Sequence, residues 1–319
     1  MTQEYSKTRS MVEGSLLSAI TVLLSIASIY LPLIGTIATF VWPVPIIILM
    51  LRHGMRTSIM AVIVSGLIVS LLSTPIEAIT IILGFGLTGI VLGYAIKNNF
   101  SPGKCLVLGA IASVISKVFI IGISMLLLKI NPISLQMDIL LESLEGATEL
   151  YSSLGIDPEN FEVLLDSFKE LVKILPIIIP SVLLLASIMD AFLNFNVARL
   201  VLNKLGHTVK PLPLFIYWRL PAFTVPAFLA GIVMTLLYNS YPSGILKFVA
   251  MNLTIFFPYL FMIQGLSLLA FFLDKMQLNK ILRAAIVFFV IFNPFFSRLL
   301  VFAGLLEILF NFRKLKDNG

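Results

Sequence analysis

The chain holds one cysteine, Cys105, among its 319 residues. A single thiol closes no internal disulfide and builds no cysteine metal cluster. Histidine is scarce as well: His53 and His207 lie in basic loops, with no acidic or cysteine partner at ligand spacing, so no metal site is expected. Charged residues make up only 12% of the chain, against about a quarter in soluble domains. No HExxH, GxSxG or P-loop pattern occurs, which removes zinc peptidases, α/β-hydrolases and P-loop nucleotide binding. An intramembrane acid pair would need a second carboxyl beside Asp190, and nothing in the sequence brings Glu307 there. The expectation is a protein that is no enzyme and carries no cofactor. A cleavable leader is not expected either: Met1–Ser10 is polar, and the apolar run after it leads to Pro32 and another span.

What the chain does have is apolar length. It is 59% hydrophobic with a mean hydropathy of +1.06, and runs of about 20 apolar residues recur, each able to cross a bilayer as a helix. The runs do not alternate apolar and polar residues, which excludes a barrel. The fold class is therefore all-α, a polytopic transmembrane helix bundle. About eight spans are expected: Gly14–Tyr30, Ile34–Leu51, Thr57–Leu72, Ile76–Ile96, Cys105–Leu128, Leu175–Gly206, Ala222–Tyr238 and Ile245–Leu273. A broken helix or hairpin follows over Ala284–Phe312. The hairpin, turning near Asn293 and Pro294, is preferred because it keeps Arg313, Lys314 and Lys316 on the positive side.

Charge sets the expected orientation. Lys7 and Arg9 place the N-terminus in the cytoplasm of a cell membrane, and Arg52, Arg56, Lys97, Lys104, Lys204 and Lys210 mark inner loops. Because the cations sit in short loops between spans, the net charge of +6 signals topology and not nucleic acid. The excursion 131–173 is acidic, with Asp138, Glu142, Glu145, Asp166 and Glu170 among others, and is expected outside. Asp157 and Pro158 read as the cap and first turn of a separate helix there, with Phe161, Leu164, Leu165, Phe168 and Val172 on one face. Two halves follow: residues 1–206 with six spans, and residues 207–319, which begin with a proline-rich inner segment, 207–221.

Inside the spans, small and polar residues stand out. Gly14, Ser18, Thr21, Ser25 and Ser28 step by 4, 3, 4 and 3 along one face of the first helix, a seam for close helix docking. Its partner is either another span of this chain or a separate membrane subunit. Trp42, Pro43 and Pro45 predict a kink or break in the second span, and broken spans line cavities. Gly86, Gly89 and Gly93 form a second seam. Lys117 and Asp190 each lie deep in an apolar run, about 8 Å apart in depth at 1.5 Å per residue, a gap that a lysine side chain can partly bridge. They are expected to pair, either as a structural staple or, with Asn194 and Trp42, as a ligand or proton site.

Asp190-Ala-Phe-Leu-Asn-Phe-Asn with Arg199 and Lys204-Leu-Gly206, Leu212-Pro-Leu-Phe215 to Trp218-Arg-Leu-Pro221, Gln264-Gly-Leu, and Asn311-Phe-Arg-Lys314 resemble the YybS-like family of bacterial integral membrane proteins. The first six spans are also similar to substrate-binding subunits of energy-coupling factor transporters, through the Trp42-Pro-Val-Pro span, the Arg52-His-Gly54 turn and the glycine-rich span ending at Gly93. That resemblance implies a small-molecule ligand and a membrane coupling subunit docked on the first helix, although the seam here is serine-rich where that docking face is alanine-rich. Two functions remain open: a small-molecule binding or transport component, and a scaffold or regulator holding a partner through the acidic loop or the proline-rich segment.

Overall fold

The computed structural model describes residues 2–31, 35, 38–39, 41–126, 129, 131–153 and 158–315. Among them the regular elements are all helical. In order they are α1 (Thr2–Tyr30), α2 (Pro43–His53), α3 (Met55–Leu72), α4 (Pro75–Lys97, with a π-helical turn over Thr80–Gly86), α5 (Pro102–Leu126) and α6 (Pro132–Ser153). There follow α7 (Pro158–Lys204), α8 (Thr224–Ser240), α9 (Gly244–Lys275), α10 (Lys280–Phe292) and α11 (Pro294–Phe310). Six of them, α1, α3, α4, α5, α7 and α9, are long and apolar enough to cross a bilayer. The architecture is a multi-pass all-α membrane bundle.

Three of the expected elements have distinctive geometry. The second span is interrupted at Trp42: α2 has 11 residues, with Pro43 in its first position, and the described residues Gly35, Ala38, Thr39 and Val41 ahead of it are helical too. The last apolar region is a broken helix, one of the two forms expected, since α10 and α11 meet at 98°. Asn293 makes that corner, its Oδ1 accepting from the backbone N–H groups of Phe295 and Phe296. Finally, the helix that starts at Pro158 does not end before the membrane span but runs unbroken for 47 residues to Lys204, about 70 Å. The expected starts at Ile34 and Asp157 and the expected end at Leu128 lie outside the described residues.

Pro176 and Pro180 sit inside α7, where prolines ordinarily break the hydrogen-bond ladder. Asn252 of α9 bridges the step next to the one that Pro180 breaks. Its Nδ2 donates to the Ile177 carbonyl at 2.8 Å and its Oδ1 accepts from the Ser181 N–H at 2.9 Å. A side-chain amide is thus spliced into one i to i+4 step of the helix.

The chain divides into two compact units: Met1–Val172 with Leu183–Leu212, and Lys173–Val182 with Pro213–Gly319. In the first, the α1 seam packs on α3. Ser18 Oγ donates to the Ala61 carbonyl at 3.4 Å, Ser65 Oγ donates to the Ser18 carbonyl at 3.3 Å, and Gly14 faces Thr57. Gly14, Ser18, Thr21 and Ser25 are buried, and Ser28 Oγ donates to the Gly35 carbonyl. The seam therefore serves a helix of the same chain, and a separate subunit would have to dock on another face. The second seam brings α4 against α2: a Cβ on Gly93 would lie 2.6 Å from that of Met50.

In the second unit, α9 and α11 touch backbone to backbone. A Cβ on Gly304 would overlap the Phe261 carbonyl oxygen. Next to this crossing lies an ion pair with no solvent access, Glu307 with Arg313 at 2.8 Å. The guanidinium also donates to the carbonyls of Ile216 and Trp218 and to Ser267 Oγ, while Glu307 Oε2 accepts from the Phe312 N–H. Gln264 completes the knot, accepting from the Leu220 N–H and donating to the Trp218 carbonyl. Arg313 was expected as a tail charge; here it holds the proline-rich segment and α9 to the end of α11.

Replacing Gly304 with Ala forces these backbones apart, so the variant is expected to lose its monodisperse peak in detergent size-exclusion chromatography. Arg313→Ala strands a buried carboxylate and the Ile216 carbonyl, for a loss of about 3–5 kcal/mol. Detergent thermal melts should show it less stable than Glu307→Gln, which keeps a hydrogen-bonding partner for the arginine.

Candidate functional site

Charges deep in apolar helices must be compensated by the protein, which directs attention in the first unit to Lys117 of α5 and Asp190 of α7. The two pair: Lys117 Nζ donates to Asp190 Oδ2 and to Ser113 Oγ, and Ser113 Oγ donates to the same carboxylate oxygen at 3.0 Å. Ser113 lies one helical turn before Lys117, which puts both on one face of α5. The side chains keep partial access, 26% for Lys117 and 37% for Asp190.

Both residues line a cavity of about 190 Å³ between α4, α5 and α7. From α4 come Thr80, Gly84, Phe85 and Thr88, the first three within the π-helical turn; from α5, Ser113, Ser116, Lys117 and Ile120; from α7, Asp190 and Asn194. A π turn carries an extra residue and gathers at functional sites. Here it turns the Leu83 carbonyl toward Ser116, whose Oγ lies 2.6 Å from it. Thr39, ahead of α2, also lines the cavity.

Asn194 is the decisive residue. It is 4% exposed, lines the cavity one turn beyond Asp190, and its Oδ1 is buried without a hydrogen-bond partner. A buried amide oxygen left unpaired costs about 1–3 kcal/mol. Among the described residues two other buried atoms share this condition, Trp42 Nε1 and Ser187 Oγ, and neither lines the cavity. Trp42 lies one layer behind it, its ring edge-on to Phe85 at 4.1 Å between centroids.

Of the residues expected at the site, the structure thus brings Lys117, Asp190 and Asn194 into one cavity and sets Trp42 in the wall behind. Ser113 and Ser116, which read from the sequence as a small-residue face of the fifth span, and Thr80 and Thr88 were not expected at the site. The spacing Ser113–Ser116–Lys117 was a usable signal; the π turn had none.

A larger hollow, about 460 Å³, lies where the turn after α4 meets residues 208–211. Its one deeply buried side-chain polar group, the Cys105 thiol, already donates to the Phe100 carbonyl. No unpartnered buried side-chain atom faces it among the described residues, so it makes the weaker candidate. Among the described residues no cluster of His, Cys, Asp and Glu could hold a metal ion.

Asp190→Asn leaves the Lys117 ammonium without a counter-charge. Because both groups keep partial access, the loss should be about 1–3 kcal/mol, below the roughly 3–5 of a fully buried pair. Thermal melts of Asp190→Asn and of Lys117→Ala/Asp190→Ala test this, with the double variant expected to recover stability.

Among curated proteins, the chain is 26% identical to the uncharacterized protein YybS of Bacillus subtilis (strain 168) over 308 residues, which is 96% of this chain and 98% of that protein. No solved structure matches. Residues 19–308, including the whole cavity, match the family described as predicted membrane protein (DUF2232), and the chain belongs to that family.

Proposed function

We propose that this membrane protein binds a small polar molecule in the α4–α5–α7 cavity, as a binding or transport component and not as an enzyme. The observation that carries the reading is the unpaired, buried Oδ1 of Asn194 beside an ion pair that opens into the same space. A protein-only role leaves that oxygen unexplained; a guest that donates a hydrogen bond accounts for it. On this reading the N-terminus and the basic turns face the cytoplasm. The similarity to substrate-binding subunits of energy-coupling factor transporters points the same way, with one restriction. A cavity of about 190 Å³ lies below the range of roughly 300–1,000 Å³ typical of drug-sized ligands, so the guest is smaller than a vitamin.

A second reading, a scaffold that holds a protein partner, draws on α6. That helix exposes Leu135 and Leu150 at 51% and 60% together with Glu142 and Glu145. The proline-rich segment supports it less, since its Ile216 and Trp218 carbonyls are taken by Arg313.

Native mass spectrometry after purification in mild detergent separates the two. A retained mass below about 200 Da, absent from Asn194→Leu, is expected. A copurifying protein with no small ligand would favour the scaffold.

A further inference from the structure

The hydrogen-bonding capacity left open in the cavity is more specific than "polar". The Thr80 hydroxyl donates to the Ile76 carbonyl, that of Thr88 to the Gly84 carbonyl, that of Ser113 to Asp190, and that of Ser116 lies within reach of the Leu83 and Ala112 carbonyls. These hydroxyl protons are committed to the protein. Asp190 uses Oδ2 for both of its hydrogen bonds and makes none through Oδ1 among the described residues. Asn194 Oδ1 is likewise open. On the donor side, the Lys117 ammonium has three N–H groups and spends two, on Asp190 and Ser113. Besides the lone pairs of these hydroxyls and the N–H groups of the Asn194 amide, the cavity offers two unfilled carboxylate or amide oxygens, both on α7, and one unfilled cationic donor, on α5.

Charge narrows the choice. The Lys117–Asp190 pair is already neutral, so a bare cation or anion would leave one net charge in a low-dielectric site, which is costly. A neutral donor such as an amide would meet the acceptors but offer only a weak partner to the ammonium. Size narrows it again, because about 190 Å³ equals the liquid volume of roughly six waters.

We propose that the guest is a small zwitterion of amino-acid size. Its ammonium donates to Asp190 Oδ1 and Asn194 Oδ1, and its carboxylate accepts the third N–H of Lys117. The existing ion pair stays intact while each ligand charge meets its opposite, and the net charge of the cavity is unchanged. Phe85 and Ile120 supply apolar wall for no more than a short side chain. This inference rests on the proposed small-molecule site and adds the ligand class to it.

The test uses the full-length protein in detergent, with melting temperature and equilibrium dialysis as readouts and glycine and L-alanine as probes. Methylammonium, acetate and acetamide, each carrying one part of the zwitterion, are the controls. Glycine or L-alanine should raise the melting temperature saturably, and the controls should not at equal concentration. Asn194→Leu should weaken binding about tenfold or more, the equivalent of one hydrogen bond to a charged group. The same variant should leave the melting temperature of the ligand-free protein unchanged or higher, because the replaced oxygen has no partner to lose. If Asn194→Leu does not fold, Asn194→Ala and the Lys117→Met/Asp190→Leu double variant carry the comparison and should lose binding to the same degree or more. Acetamide or methylammonium binding as tightly as L-alanine, with the same dependence on Asn194, overturns the zwitterion and leaves the small-molecule site standing. L-alanine binding that ignores all three variants places the ligand elsewhere and overturns the inference. No binding of any probe, together with no ligand in the native mass spectrum, overturns both.

Discussion

Hydrocarbon offers no hydrogen bonds, so a polar group within a membrane-spanning helix depends on the protein to supply them. Each feature of this structure that departs from a plain apolar bundle is a response to that constraint. Serine and threonine hydroxyls turn back onto carbonyls of their own helices, as Thr21, Ser25, Thr235 and Thr254 do. Beside the rung that Pro180 removes from α7, the Asn252 amide bridges the next step, between Ile177 and Ser181. Where an acid is fully buried, Glu307, an arginine and a backbone N–H reach it from beyond the helix end.

Arg313 reaches back because the chain turns back. Asn311 takes the left-handed conformation, with φ 47°, and its N–H donates to the Glu307 carbonyl. Asparagine is among the few residues that adopt this geometry at low cost. The turn brings a guanidinium six positions further on over the carboxylate that it neutralises. A local backbone preference thereby places a charge that links residues 216 and 218 to α9 and α11.

The same constraint decides what could be read from the sequence. The pairing of Lys117 with Asp190 was legible because a charge inside an apolar run has few possible partners, and depth along the helices left one. The α1 seam was legible as a seam, since its 4 and 3 spacing fixes the face, but spacing does not say which helix fills it. Arg313 was not legible as a partner for Glu307. It stands after the apolar run ends, where position alone assigns a cation to water. The helix expected to stand apart from Asp157 onward is continuous with the central span, and Asn252, which bridges Ile177 and Ser181 beside the prolines, is 72 residues downstream of Pro180. The π turn at Thr80–Gly86 left no trace because the sequence on either side is ordinary helix.

The two ion pairs differ in a way that bears on function. Replacing a buried pair with apolar residues is often neutral or stabilising, so a pair that only bridges two helices gains the fold little. Arg313 has a complete structural account: it neutralises Glu307, satisfies the Ile216 carbonyl and adds to the hydrogen bonds of Trp218 and Ser267. Lys117 and Asp190 have no such duty. They satisfy each other and Ser113, no backbone group depends on them, and they keep an open carboxylate oxygen and an open N–H beside an unpaired amide. As a staple the arrangement is wasteful, since leucines would close the same gap at lower cost. As the lining of a binding site it has what a guest requires: fixed charges of both signs, held in place and incompletely used.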